Sequence, residues 1–311
     1  MLCLSPRCPP PRLLAVAAEP NVRQISPGLF YNERFSAHNV WEIDVDTDLI
    51  DEAASIYYDG LPFASLQQPG EPYADIMTNA GNFFAHRVNW ESDIAWSSAD
   101  DERAFDVFSS IFSRLNLAER FAAMVPHGQT LRMYNAFFVS RSKCDDLDFH
   151  ADYFNEVGTD ALTLITPLRD FREVDSFQLA YMPSVCDGGE EEAAAADDER
   201  SVGASAATAT ASSKSAVPQQ QQQPRHRRYQ YKKGKAVVFG SRFLHSTEPG
   251  CGHDGEVHAY LCFTFGTDDQ SAWPRIERTL GTQSRIVRNP DGELRLSTLG
   301  REIERLLRES R

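Results

Sequence analysis

The sequence predicts a mainly β protein with flanking helices (α+β), its core a double sheet or barrel of short strands. Three observations predict it. Apolar residues recur at three- and four-residue steps up to about Met124, and from Thr130 the period drops to two. Several short alternating segments follow, separated by turn-forming residues. Helical spacing returns only from Ala272.

The 311 residues, 41% of them hydrophobic, suffice for a sizeable core in one large domain or two modest ones. A formal net charge of −14 provides no overall attraction to nucleic acid or an anionic membrane, so neither partner is expected. The basic stretch from Arg225 to Lys235 is short and adjoins a low-complexity tract, and reads as a solvated linker end. No apolar run reaches the ~18 residues of a membrane span. The six cysteines are scattered without a CxxC pair, which predicts reduced thiols and an intracellular, cytoplasmic setting rather than a disulfide framework.

In chain order, residues 1–26 read as a flexible leader. The stretch before Glu19 holds Arg7 and Arg12 but no acid, which leaves organelle targeting as a second reading. Residues 27–129 form a helical support region. Within it, Asp48 to Tyr58 places Leu49, Ile50 and Ala53 on one helical face, while the aromatic stretch Asn79 to Trp90 has no clear period. Ala99 to Met124 is the strongest helix, with the stripe Phe105, Phe108, Ile111, Phe112, Leu115 and Phe121. Asp100, Asp101 and Glu102 sit at its favourable end, and Asn116 is a candidate break.

Residues 130–268 are the β core. From Thr130, Leu131, Met133, Asn135, Phe137 and Val139 alternate with Arg132, Tyr134, Ala136 and Phe138. Further strands are expected at 161–168, 176–182, 229–231, 236–239 and 258–265. The stretch 187–223 is acid-rich, then Ala/Ser/Thr-rich, then Gln219 to Gln223, and reads as a disordered insertion in a loop of that core. Residues 269–311 form a C-terminal helical extension, with helices at 272–280 and 301–308.

The chemistry lies in His150-Ala151-Asp152. Alternate residues of an extended segment share a face, so His150 and Asp152 project together. His245, a short link after the strand 236–239, is placed to supply a third ligand. Two imidazoles and one carboxylate leave positions open on a metal, the donor set of non-haem Fe(II) sites.

These residues carry a resemblance. His150-Ala151-Asp152, the stretch Lys233 to Phe239, His245 to Gly250 and Ala259 to Phe265 together resemble the 2-oxoglutarate/Fe(II)-dependent dioxygenases, loosely their prolyl-hydroxylase-like branch. The resemblance covers about Thr130 to Phe265, less the insertion. It implies a double-stranded β-helix (jelly-roll) core and Fe(II) held by His150, Asp152 and His245. It also implies 2-oxoglutarate as cosubstrate, and hydroxylation of a protein side chain or small metabolite coupled to decarboxylation to succinate. That family usually opens its last core strand with an arginine that binds the distal carboxylate of 2-oxoglutarate; here the matching position is His258. Tyr134, on the strand before His150, and Arg169, after the strand 161–168, are the other candidates, with Arg132 behind them.

A chain that keeps the trio without the family arginine leaves two other functions open: a non-catalytic metal-binding jelly roll, and a cupin-like metalloenzyme that does not use 2-oxoglutarate. No nucleophile-elbow, P-loop or dinucleotide-binding glycine pattern supports a hydrolase, kinase or dehydrogenase. His38, His86, His127, His226 and His253 have no partner at ligand spacing and read as surface or loop residues.

Overall fold

A computed structural model describes residues 22–24, 40–61, 73–89, 93–124, 130–172, 174–182, 226–241 and 243–309. Most of the expected leader, and all of the expected insertion at 187–223, lie outside the described residues.

The N-terminal half runs β1 (Val22–Gln24), β2 (Val40–Asp44), α1 (Thr47–Gly60), β3 (Tyr73–Thr78), β4 (Gly81–Asn89), β5 (Ile94–Ala99), α2 (Glu102–Arg114) and α3 (Leu117–Arg120). The core follows with β6 (Leu131–Arg141), β7 (Lys143–Cys144), β8 (Ala161–Pro167), β9 (Leu179–Tyr181), β10 (Arg227–Tyr229), β11 (Lys235–Phe239), β12 (His245–Thr247), β13 (Gly250–Cys251) and β14 (His258–Thr267). The chain ends with α4 (Trp273–Leu280), the hairpin β15 (Ile286–Arg288) and β16 (Leu294–Leu296), and α5 (Thr298–Glu309).

The principal sheet is antiparallel in the order β1-β2-β11-β8-β14-β6-β5-β4-β3. The aromatic stretch that has no clear period in the sequence becomes β4, so the N-terminal region does more than supply helices: it widens the sheet. A smaller sheet, β10-β9-β12, lies opposite. From β6 onward the chain passes repeatedly between the two sheets, which is the winding of a jelly roll.

Alternation explains how one sheet buries both faces. On β14, Ala259, Leu261, Phe263 and Phe265 face one cluster, and Tyr260 and Cys262 face another. The first cluster is closed by α2. Its Phe105, Phe108, Ile111 and Phe112 pack on Phe83, Phe138, Phe263 and Phe265, with Phe108–Phe138 and Phe112–Phe265 ring centroids 5.3 and 5.4 Å apart. Each such buried side chain contributes roughly 1.5–3 kcal/mol. Asp101 caps α2 by accepting from the Ala104 N–H at 2.8 Å, and Asn116, at φ 56°, separates α2 from α3. The second cluster fills the space between the sheets, where Phe137, Val237, Phe239, Tyr260 and Cys262 meet Phe177, Leu179, Tyr181 and Phe243. The candidate site opens beside it.

Candidate metal centre and its cavity

His150 and His245 are cross-strand partners. His150 N–H donates to the His245 carbonyl at 3.0 Å, and His245 N–H donates back to the His150 carbonyl at 2.9 Å. A pair that exchanges both bonds carries its side chains on one face, and the two rings stand 4.7 Å apart, centroid to centroid. Asp152, two residues on, joins them: its Oδ1 lies 3.5 Å from His245 Nε2 and 3.8 Å from His150 Nε2. One ligand atom from each of the three lies within 4.8 Å of the others.

Each imidazole is oriented from behind. His150 Nδ1 lies 2.9 Å from the Asp148 carbonyl, and His245 Nδ1 lies 3.0 Å from the Phe243 carbonyl. A carbonyl only accepts, so each Nδ1 carries the proton and each Nε2 presents a lone pair to the centre. Burial holds the His245 imidazole below its usual pKa, against the opposing pull of Asp152, and so favours the neutral form that binds metal. The Asp152 carboxylate is steadied by Thr163, whose Oγ1 donates to Oδ2 at 2.8 Å. The donor set and its geometry fit a divalent transition metal with positions left open.

The trio lines a cavity of about 420 Å³. One wall comes from β5 and β6: Ile94 and Trp96 stand beside Phe137, Val139 and Arg141. Thr163, Ile165, Phe239 and Cys262 form the floor, and the rim is built by Phe154 with Arg278, Thr279, Thr282 and Gln283 from the end of α4 and the turn after it. Arg141 is only 8% exposed, and its Nε has no hydrogen-bond partner; no carboxylate pairs with it among the described residues. Trp96 Nε1 and Gln283 Oε1 are likewise unpartnered.

The structure brings His150, Asp152 and His245 together, but brings none of the three residues expected to hold the cosubstrate to the cavity lining. His258 is buried between the Phe171 and Phe177 rings, at centroid distances of 4.5 and 5.1 Å. Burial lowers its pKa, which leaves it neutral and a poor partner for a carboxylate. Tyr134 is buried outside the cavity lining, in a cluster with Tyr153, Ile276 and Leu280. Its hydroxyl donates to the Thr267 carbonyl at 2.6 Å, and its ring packs on Trp273. Arg169 is exposed and lies over the Tyr58 ring at 3.6 Å.

Arg141 is the basic residue that the sequence reading passes over. The cause is a β-bulge. Asn135 pairs with Thr264 but Met133 with Phe265, so Tyr134 is the extra residue and the alternation changes phase there. Leu131 and Met133 share a face with Ala136 and Phe138, and Phe137, Val139 and Arg141 share the cavity face. Extending the expected strand beyond Val139 by one alternation finds Arg141.

No family model matches the chain, and no curated protein matches it. Among solved structures it is similar to AviO1 from Streptomyces viridochromogenes, with 14% identity over 78% of this chain and 95% of that one and a TM-score of 0.44. HygX from Streptomyces hygroscopicus, solved with nickel and 2-oxoglutarate bound, is 13% identical over 78% of this chain and 87% of that one, with a TM-score of 0.41. A prolyl-4-hydroxylase from Pseudomonas putida is 13% identical over 73% and 91%, with a TM-score of 0.40. Likenesses this distant decide neither reaction nor substrate. Among the described residues, no helix is long and apolar enough to cross a membrane.

Proposed function

We propose that the cavity is the active site of an Fe(II)-dependent oxygenase that uses 2-oxoglutarate and hydroxylates a small molecule. The observation that carries this reading is the convergence of two Nε2 lone pairs and one carboxylate oxygen at the wall of a cavity that also holds an arginine with no carboxylate partner among the described residues. When bound, iron and 2-oxoglutarate supply the oxidative chemistry: O₂ is reduced as the keto acid loses CO₂ to give succinate, and a substrate C–H becomes C–OH.

His150, Asp152 and His245 hold the metal from one side, and the single negative charge of Asp152 offsets half of a divalent ion's charge. Arg141 supplies the counter-charge for the distal carboxylate of the keto acid, in a fixed fork that suits bidentate pairing. Phe137, Val139, Ile165 and Phe239 keep water from the reacting centre and strengthen the electrostatics inside it. Trp96 and Gln283 also line the cavity, each with a buried polar atom that has no partner, and are the groups left to orient the substrate. A cavity of about 420 Å³ is within the range of small-molecule sites.

The test is turnover. The full chain with Fe(II), ascorbate, 2-oxoglutarate and a pooled metabolite extract is expected to form succinate faster than a His245→Ala variant. Equal succinate from both folded proteins, with and without the pool, would refute the reading.

A further inference from the structure

We propose that Thr163 is a positioning residue that makes Asp152 a one-oxygen ligand and thereby keeps a third position of the bound metal open. The proposal rests on the reading of the trio as a metal centre, and goes beyond it to how that centre is kept unsaturated.

A carboxylate can meet a metal through one oxygen or both. Three protein ligands leave three of six octahedral positions, enough for a two-atom chelate and one further ligand. A second Asp152 oxygen on the metal would take one of those. The side chain therefore has to be held with one oxygen forward and the other turned away.

Thr163 does this from β8. Its Oγ1 donates to Asp152 Oδ2 at 2.8 Å, while Oδ1 is the oxygen that faces His245 Nε2 and His150 Nε2 at 3.5 and 3.8 Å. An ionised carboxylate only accepts, so the proton in the Thr163–Asp152 contact belongs to Thr163. That commits the threonine's single proton. The Tyr153 hydroxyl, 3.4 Å from Thr163 Oγ1 and 3.2 Å from the Leu162 carbonyl, is then confined to donating.

The threonine is itself held. It is 4% exposed, and its strand is flanked on both sides, Thr163 pairing with Phe239 of β11 and Thr264 of β14. A β-branched side chain on a central strand has little rotational freedom. Asp152, by contrast, lies outside any described strand or helix, in the stretch between the His150 bridge and the short helical turn Asn155–Val157. The rigid element thus orients a ligand that its own backbone leaves less constrained.

The experiment is anaerobic titration of the full chain with Fe(II) and, separately, Co(II), comparing wild type, Thr163→Val and Thr163→Ser. Valine keeps the branched shape and removes only the hydroxyl. The expected result for Thr163→Val is a changed visible absorption band of the Co(II) form and a metal affinity shifted several-fold from wild type, because the released Asp152 Oδ2 is then free to reach the ion. Thr163→Ser restores both. A purely structural role would lower the melting temperature of the metal-free protein without moving the Co(II) band. A Thr163→Val protein with wild-type affinity and wild-type band overturns the proposal and leaves the metal reading standing. A wild type that takes up no metal overturns both. Should Thr163→Val fail to fold, Thr163→Ala decides in its place by the same two readouts.

Discussion

Replacing Arg141 by Met separates the two roles proposed for the cavity, holding a metal and holding an anion. Methionine keeps an unbranched stem against Phe137 and Val139 but removes the guanidinium. Arg141 is 8% exposed and has no carboxylate partner among the described residues. Its loss therefore breaks no ion pair, and the melting temperature is expected to hold or rise. The cost falls on binding. Truncating one partner of a buried charge pair costs about 2–5 kcal/mol. Because the cavity opens at the rim, the lower part of that range, about 2–3 kcal/mol, applies here, which is about 30- to 150-fold in Kd. Calorimetric titration of 2-oxoglutarate into the Mn(II)-loaded protein measures it directly. Mn(II) affinity is expected to stay unchanged, since Arg141 touches none of the three ligands. His258→Ala, which removes a neutral ring wedged between Phe171 and Phe177, is expected to leave the 2-oxoglutarate Kd within about threefold, under 1 kcal/mol. An unchanged Kd in Arg141→Met together with lost binding in His258→Ala would refute the assignment and return the role to the strand opening.

Three further outcomes follow from the same structure. His245→Ala removes a ligand outright, so Co(II) affinity measured by absorption is expected to fall by more than the roughly 100-fold upper range for losing an outer-shell partner; an equal affinity would dissolve the centre. Phe263→Ala empties the space between Phe108 and Phe112, and is expected to cost about 3–5 kcal/mol in urea unfolding with an unchanged slope; a cost near 1 kcal/mol would mean the helix does not seal this face. His86, 7% exposed, has its pKa pushed down to about 4 by burial. Its stabilising contribution is present above the unfolded value near 6.5 and is lost as pH falls toward 4, by about 3 kcal/mol. Asp100, raised to about 6 by burial, works in the opposite direction, its contribution being lost as pH rises through that value. The difference between wild type and His86→Phe in unfolding free energy across pH 4–7 isolates the histidine, and a pH-independent difference would contradict its burial.

Much of the fold is legible in the sequence because period and burial agree. The stripe from Phe105 to Phe112 reads as one helical face and becomes the face that α2 lays on the sheet. The alternation of β14 reads as a strand because both of its faces are buried but belong to different clusters. The trio is legible for a different reason. His150 and Asp152 are two apart, and a two-residue spacing survives any change of strand register. The strands β3, β4 and β5 are less legible: on β4 the polar His86 and Arg87 are buried in succession, and a run that buries polar residues on both faces shows no hydrophobic period.

Arg141 of the cavity lining is the residue that the sequence pattern does not give. Alternation counts residues, and a bulge adds one without changing composition. Across Tyr134 the count slips, so a tyrosine expected beside the metal points to Trp273 instead, and the cavity face passes to Phe137, Val139 and Arg141. The slip also explains why the strand opening can carry a histidine. Ile94 and His258 flank Arg141 on the two neighbouring strands, so a cation from β6 already occupies the end of the cavity. A second arginine at position 258 would stand directly opposite Arg141 on a paired strand, and two like charges that close in a buried setting destabilise the fold. A neutral, buried ring at 258 is what an arginine at 141 requires of its neighbour. The double exchange Arg141→His with His258→Arg, which moves the cation back to β14, is expected to recover part of the 2-oxoglutarate affinity that Arg141→His alone loses. If the double variant binds no better than the single one, the two positions are not alternatives for one charge.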